Sequence, residues 1–422
     1  MLPAARGQGV NPAQPVRPGP RPIGLHLALT MWTLTGAAAA LPLVRMGMVP
    51  WVPELKDRAA ALNAELARAD LFGLMQGVGL EVTGRTAAFL NAVEAYRHHP
   101  YRRALEEPPV IWQEGNTRLL DYGAVPRPRG GRPVLVVPSL VNRGYVLDLS
   151  ERRSLLRHLA HQGLRPILVD WGTPDAVEKR FSFDDCIKGR LSRALDRAMQ
   201  FARGPVPVMG YCMGGNIALA LATLRPDGVK ALALLATPWD FHAGQPEAIR
   251  MLVAPNGPIP SMIRQLGEMP IDLLQGFFVA LDPLLAMRKF RSFAALPPDA
   301  PERLDFVALE DWLNDGVPLA GPVATTCFTE WYGANAPLRK QWRVGGQAID
   351  PAKITCPTLV VLPDRDRIVA PGAARALVDA LPKPDVLEPA AGHIGMVVGS
   401  KAEAALWQPL AGWLKAQWAG RP

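Results

Sequence analysis

Cysteine is scarce in this chain, with four residues among 422: Cys186, Cys212, Cys327 and Cys356. No two of them have C-x-x-C spacing, and their number is far below that of small proteins held together by disulfides. A disulfide scaffold is therefore excluded. We expect free thiols in a reducing, cytoplasmic compartment, and we predict neither a metal site nor a cofactor.

Charged residues are also few, at 20% of the chain against 49% hydrophobic residues. This composition excludes wholesale disorder and is typical of a globular protein with a large core. The net charge of +8 is spread along the chain and is not gathered in a basic segment interleaved with aromatics. We therefore expect no nucleic-acid partner, whereas anionic groups such as phosphates or lipid headgroups are favoured.

The N-terminal region divides into parts of different composition. Residues 1–26 are rich in proline and arginine, which predicts a disordered tail. Residues 27–44, LALTMWTLTGAAAALPLV, carry no charge and open an apolar, helical region predicted for 27–125. The sequence leaves three alternatives for residues 27–44: a helix packed on the main domain, an interfacial helix on a membrane or lipid body, and a transmembrane anchor.

From residue 132 onward, short β-branched runs alternate with helical patterns, which is typical of a mostly parallel sheet covered by helices on both faces. We predict six strands, at 134–137, 166–170, 207–210, 231–235, 358–362 and 385–388. A long stretch rich in proline and aromatics separates the fourth strand from the fifth. It predicts a cap insertion at about 240–350, at the strand ends where ligands bind in open α/β sheets.

The sharpest motif is VPVMGYCMGGNIALALA at 206–222. An apolar strand, a Gly-Tyr-Cys-Met-Gly-Gly turn and an Ala- and Leu-rich helix form the nucleophile-elbow pattern G-x-S-x-G, with cysteine in place of serine. Gly210 and Gly214 permit a close strand–helix approach, and the positive end of the helix stabilises a thiolate at Cys212. A buried cysteine in a tight turn is the alternative. The motif predicts an α/β-hydrolase fold over 126–422 with Cys212 as an acyl nucleophile.

A cysteine elbow needs a base, and the chain has only seven histidines. Five are badly placed relative to the predicted strand ends: His26, His98, His99, His158 and His161. His393 follows the last strand and fits the order nucleophile, acid, histidine, whereas His242 comes before any late acid and is the less favoured alternative. Between the acids Asp364 and Asp366 we prefer Asp366, because apolar residues anchor the loop just after it.

We therefore predict that Asp366 orients His393, which accepts the proton of Cys212. Two backbone N–H groups should hold the developing oxyanion. They are those of Met213, just after the nucleophile, and of Val141, in the loop PSLVNRGY after the first predicted strand. A plain strand-to-helix connection is the alternative for that loop.

At these motifs the chain resembles the polyhydroxyalkanoate synthases, which polymerise (R)-3-hydroxyacyl-CoA, and particularly their short class III catalytic subunit. The resemblance runs from about residue 98 to the C-terminus and rests on VNRGYVLDL, GYCMGG, LLATPWDF, DRDRIVAP and GHIGMVVGSK. It implies an acyltransferase that carries the acyl group on Cys212, with Asp366 and His393 completing the triad. A cysteine-dependent thioesterase or esterase and a non-catalytic granule-surface protein are the alternatives.

The resemblance also implies partners. We expect a hydroxyacyl-CoA substrate, a homodimer or a second synthase subunit, and a polyester granule or inner-membrane surface. The run 27–44 should attach the enzyme to that surface through Trp32, Leu34, Leu41 and Leu43. Five basic residues of the predicted cap are candidates to contact the CoA phosphates: Arg288, Lys289, Arg291, Arg339 and Lys340.

We predict that Cys212→Ala abolishes turnover of hydroxyacyl-CoA. Cys212→Ser should retain at most a small fraction of the activity, because a base positioned for a thiol cannot fully ionise a hydroxyl. The matched controls are Cys186→Ala, Cys327→Ala and Cys356→Ala, which should keep activity. The rate of thiol release from the CoA substrate measures the activity of all five variants. Normal turnover by Cys212→Ala would refute the assignment of Cys212 as the nucleophile.

Overall fold

The chain divides into two units in the computed structural model, which describes residues 16–125, 131–244, 253–254 and 257–419. The smaller unit consists of Met1–Tyr101 with Asp282–Asn314, and the larger unit of Arg102–Leu281 with Asp315–Pro422. The predicted cap range of about 240–350 is thus divided between them. The domain boundaries of the sequence analysis stay predictions.

An eight-stranded sheet forms the centre of the larger unit. Its strands are β1 (Val110–Glu114), β2 (Thr117–Asp121), β3 (Arg132–Val137), β4 (Leu164–Asp170), β5 (Val206–Tyr211), β6 (Val229–Leu235), β7 (Thr358–Val361) and β8 (Asp385–Leu387). Their order is β1-β2-β4-β3-β5-β6-β7-β8. The pairs β1/β2 and β2/β4 are antiparallel and the other five pairs are parallel. The six predicted strands are confirmed, and the antiparallel edge hairpin β1–β2 was not predicted.

Both faces of this sheet are covered, so its central strands are apolar on both sides. Every residue of β5 is buried. The helices of the larger unit are α4 (Leu155–His161), α5 (Ser192–Ala202), α6 (Met213–Leu224), α7 (Pro258–Leu266), α8 (Ile271–Leu281), α11 (Gly321–Thr325), α12 (Pro371–Ala380), α13 (Gly395–Val398) and α14 (Gln408–Ala416). Wider π-helical turns adjoin three of them, at Asp185–Leu191, Thr326–Gly333 and Glu403–Trp407.

A buried charge cluster links residues that precede β3 to residues between β3 and β4. Asp148 is fully buried and accepts hydrogen bonds from Arg103 Nη2 at 2.9 Å, Arg157 Nε at 2.8 Å and Tyr122 Oη at 3.2 Å. A buried carboxylate needs such partners, because removal of one leaves an uncompensated charge that is strongly destabilising. The cluster therefore joins the entry segment of the larger unit to α4.

The smaller unit is helical. Its helices are α1 (Ile23–Arg45), α2 (Lys56–Arg68), α3 (Leu71–Arg97), α9 (Leu285–Ala294) and α10 (Pro301–Asn314). The core is aromatic, with the ring of Phe290 in edge contact with those of Phe89, Tyr96 and Phe306 at centroid distances of 5.9, 5.7 and 5.2 Å. Helices α2 and α3 lie within the region 27–125 that the sequence predicted to be helical.

Part of the segment predicted to be a tail has a defined structure. Residues 1–15 lie outside the described residues, but α1 begins at Ile23, inside the predicted range 1–26. Arg17 is buried and pairs through Nε with Asp311 Oδ1 at 2.6 Å. Its guanidinium also donates to the backbone carbonyls of His99 and Tyr101.

Helix α1 has one buried side and one exposed side. His26, Thr30, Leu34 and Val44 are buried, and Leu34 lies in the core of the smaller unit. The expectation that Leu34 belongs to an attachment surface is therefore wrong, since its side chain faces Phe89 and its neighbours in that core. Trp32, by contrast, is 81% exposed.

The aromatic core of the smaller unit predicts a large effect for one truncation. Phe290→Ala should lower the free energy of unfolding by about 3–5 kcal/mol, because it removes a fully buried ring and leaves a cavity. Chemical denaturation followed by circular dichroism measures the loss. Leu304→Ala is the control, since Leu304 is exposed. Equal effects of the two substitutions would contradict the assignment of the core.

Candidate active site

Cys212 lies on a strained turn between β5 and α6. Its φ of 56° places a non-glycine residue in the left-handed region, and its N–H donates to Leu235 O at 2.8 Å. The two motif glycines make room for this turn. A Cβ on Gly214 would lie 2.1 Å from Val137 O, and one on Gly210 would lie 2.5 Å from Gly214 O. The close strand–helix approach expected from the motif is present.

His393 and Asp366 meet at the same edge of the sheet. His393 Nδ1 lies 2.6 Å from Asp366 Oδ2, and both residues are buried. The other oxygen of Asp366 accepts the backbone N–H groups of Ile368 and Val369, each at 2.8 Å. These bonds fix the loop after Asp366 through its backbone, whereas the sequence argument for Asp366 rested on the apolar side chains of that loop. The Asp364 side chain is half exposed, and its Oδ1 lies 3.9 Å from Arg365 Nε.

The side chain of Cys212 is near enough to the imidazole of His393 to influence its pKa by charge and by hydrogen bonding, so the structure brings the three predicted residues together. Burial alone would lower the pKa of His393. The charge of Cys212 and the hydrogen bonds to Asp366 and Cys212 outweigh burial and raise the pKa of His393 to about 10. The arrangement thus favours the protonated form of the His393 imidazole.

The two predicted oxyanion donors differ in their surroundings. Met213 is the first residue of α6, so its N–H lies outside the hydrogen-bond ladder of the helix. The N–H of Val141 donates to Ser139 Oγ at 3.1 Å. That bond occupies the N–H group that the sequence assigned to the oxyanion. Val141 could donate to an oxyanion only after its bond to Ser139 is broken. The carbonyl of Pro138 in the same loop accepts the indole N–H of Trp171 at 3.1 Å.

His242, the alternative base, has a different position. Its Nε2 lies 3.0 Å from Tyr332 O and 3.2 Å from Gly333 O, which makes that nitrogen a donor to two carbonyls. Asn335 strengthens the same junction, since its Nδ2 donates to Asp240 Oδ1 at 2.8 Å. His242 therefore connects the loop after β6 to the segment at 332–335.

The five basic candidates for CoA phosphates do not form one group. Arg288, Lys289 and Arg291 belong to the smaller unit, whereas Arg339 and Lys340 belong to the larger. Three of the five are in ion pairs: Lys289 with buried Glu310, Arg288 with Asp282, and Lys340 with Asp350. Such pairs reduce the charge available to a phosphate, and CoA contact by these residues stays a prediction.

Two aromatic residues beside the triad were not singled out in the sequence. Tyr211 directly precedes Cys212 and packs against His393. Burial and the charge of Cys212 raise the pKa of Tyr332, which places that phenol within electrostatic reach of Cys212. The position of Tyr211 inside the motif was the available signal, whereas nothing local marks Tyr332. Within the described ranges, no three His, Cys, Asp or Glu side chains gather to hold a metal.

A nucleophile on a strained strand-to-helix turn, with an acid and a histidine from later strand ends, defines the α/β-hydrolase class of site. The family model described as "alpha/beta hydrolase fold" matches residues 132–400. A second model, "Poly-beta-hydroxybutyrate polymerase (PhaC) N-terminus", matches residues 103–159, a range that includes Arg103, Tyr122, Asp148 and Arg157.

Two relatives define the family further. The poly(3-hydroxyalkanoate) polymerase subunit PhaC of Allochromatium vinosum is 33% identical over 72% of this chain and 87% of its own length. The PhaC subunit of Synechocystis sp. is 31% identical over 72% of this chain and 83% of its own length. The chain therefore belongs to the poly(3-hydroxyalkanoate) polymerase family, which makes it an enzyme of the acyltransferase type.

The coupling between Cys212 and His393 predicts a titration shift. Cys212→Ala should lower the pKa of His393 well below its wild-type value, because the largest influence raising it is lost while burial still lowers it. Nuclear magnetic resonance of the imidazole measures the change. Cys327→Ala, at a buried thiol that does not contact His393, should leave the titration unaltered. An unchanged His393 pKa in Cys212→Ala would contradict the coupling.

Proposed function

We propose that the enzyme polymerises (R)-3-hydroxyacyl-CoA into polyhydroxyalkanoate through a covalent acyl-enzyme on Cys212, with release of CoA. The single observation that carries this proposal is the contact of Cys212 with an imidazole whose other nitrogen lies 2.6 Å from a buried carboxylate. Family membership supports the substrate class, since the relatives are poly(3-hydroxyalkanoate) polymerases.

Acylation begins with a proton already on His393. The Cys212 thiolate attacks the thioester carbonyl of hydroxyacyl-CoA, and the N–H of Met213 donates to the developing oxyanion. Collapse of the intermediate breaks the bond to the CoA sulfur, which takes the proton from His393 and leaves as a thiol. One thioester replaces another, so the step is close to reversible, as suits a transferase.

Chain growth returns the site to its starting state. The hydroxyl of a further hydroxyacyl-CoA attacks the Cys212 thioester, His393 accepts the hydroxyl proton, and the sulfur of Cys212 leaves as a thiolate. The new ester is still attached to CoA and can reacylate Cys212. Asp366 holds the imidazole orientation throughout, because its second oxygen is fixed by two backbone N–H groups.

Product analysis with (R)-3-hydroxybutyryl-CoA tests the proposal. We expect CoA release together with insoluble polyester, and a mass increase on the peptide that contains Cys212 when the reaction is quenched early. Release of CoA with free 3-hydroxybutyrate alone would show a thioesterase instead. An acyl adduct on a residue other than Cys212 would refute the nucleophile.

We also propose that α1 attaches the enzyme to an apolar surface, that of a polyester granule or of the inner membrane. The helix has 23 residues, about 34 Å at 1.5 Å per residue, and it is long and apolar enough to cross a membrane. Only 11% of its most apolar stretch is buried. Met31, Trp32 and Leu43 are exposed on its surface, and such side chains gain by burial at an interface.

Substitution of the exposed side chains separates attachment from packing. The triple variant Met31→Gln, Trp32→Gln, Leu43→Gln leaves Leu34 and the other buried residues of α1 in place, so the fold should persist. We expect most of the enzyme to move from the granule and membrane fractions to the soluble fraction of the cell. The control is Leu266→Gln, Leu304→Gln, Leu338→Gln, at exposed leucines outside α1. An unaltered distribution of the α1 variant would place attachment elsewhere.

A further inference from the structure

Tyr211 makes two contacts with the histidine of the triad. Its ring packs in a tilted contact against the imidazole of His393, with centroids 5.2 Å apart and planes inclined by 30°. Its hydroxyl donates to the backbone carbonyl of His393 at 3.2 Å. The side chain is buried, and as the last residue of β5 it belongs to the rigid sheet. Tyr211 thus holds both the ring face and the backbone of His393.

These contacts matter because His393 lies on a connection and not in a regular element. The residue is between β8 and α13, and its Nδ1 is held by the carboxylate of Asp366. That bond fixes the direction of Nδ1 but permits rotation of the ring about it. A second contact on the ring face, from a strand, removes this freedom and keeps the other nitrogen directed at Cys212.

The phenol is suited to this task in its neutral form. Burial, followed by the charges of Cys212 and Asp366, raises the pKa of Tyr211 well above its ordinary value, so its hydroxyl stays a donor. An aromatic face also stabilises a cation that lies against it. The ring of Tyr211 therefore favours the imidazolium form of His393 in the thiolate pair.

We propose that Tyr211 is a positioning residue for the acyl transfer: it aligns the imidazole of His393 with Cys212 and stabilises the protonated ring. The proposal rests on the triad proposed above. Tyr211 contacts His393 and is itself buried, so its contribution falls on the chemical step. Substrate binding should be unaffected.

Two substitutions separate the hydroxyl from the ring. Tyr211→Phe removes the hydrogen bond to the carbonyl and should lower kcat for (R)-3-hydroxybutyryl-CoA about three- to tenfold, with KM unchanged. Tyr211→Leu also removes the ring, and should lower kcat further and shift the pKa of His393 downward in nuclear magnetic resonance titrations. A merely structural role would change neither the titration nor the ratio of kcat to KM in this way.

The matched control is Tyr122→Phe. Tyr122 is a buried tyrosine of the same unit whose hydroxyl donates to Asp148 at 3.2 Å. Its variant should lose stability while keeping kcat. A Tyr211→Phe enzyme with kcat within twofold of wild type would overturn the positioning role, as would an equal loss of kcat in Tyr122→Phe.

A second readout does not depend on the substrate. The rate at which iodoacetamide alkylates Cys212, followed against pH, reports the thiolate directly. We expect Tyr211→Leu to lower this rate near neutral pH, and an unchanged profile would overturn the proposal. If the wild-type enzyme alkylates at Cys212 but never releases CoA, the proposed function fails while the alkylation profiles still decide the role of Tyr211.

Discussion

The close approach of α6 to the sheet is the constraint on which the site depends. Gly214 lies against Val137 O and Gly210 lies against the first turn of the helix, at distances where a Cβ has no room. Because the helix begins so near the strands, Cys212 is forced into its left-handed conformation at the tip of the turn. Any side chain at either glycine would move the helix, and with it the nucleophile and the N–H of Met213.

The closeness of Cys212 and Asp366 to His393 then influences the protonation of the imidazole. His393 is buried, which by itself opposes a positive charge, yet Cys212 and Asp366 together reverse that effect. Burial also raises the pKa values of Tyr211 and Tyr332, so both phenols stay neutral beside the triad. The raised pKa of His393 favours a protonated imidazole at neutral pH.

Local patterns in the sequence predicted the features that depend on neighbouring residues along the chain. The six apolar runs became strands of the sheet, and the motif around Cys212 with the chain order of Asp366 and His393 led to residues that meet in space. Features that depend on distant partners were missed. The hairpin β1–β2 needs β4 to pair with, Leu34 is buried by Phe89 and its neighbours, and Arg17 is held by Asp311. No window of sequence contains both members of these pairs.

The composition of the smaller unit from two separate segments affects how the protein is made. Phe89 and Tyr96 cannot make their ring contacts until Phe290 has been synthesised. Roughly 180 residues lie between Tyr101 and Asp282, the ends of the two segments. A ribosome adds about 5–20 residues per second, so this interval lasts roughly 10–40 s. During that time α1 and α3 are outside the ribosome without the aromatic rings that complete their core. Their apolar surfaces are then open to chaperones or to a lipid surface, and contact with either can begin before the sheet is finished.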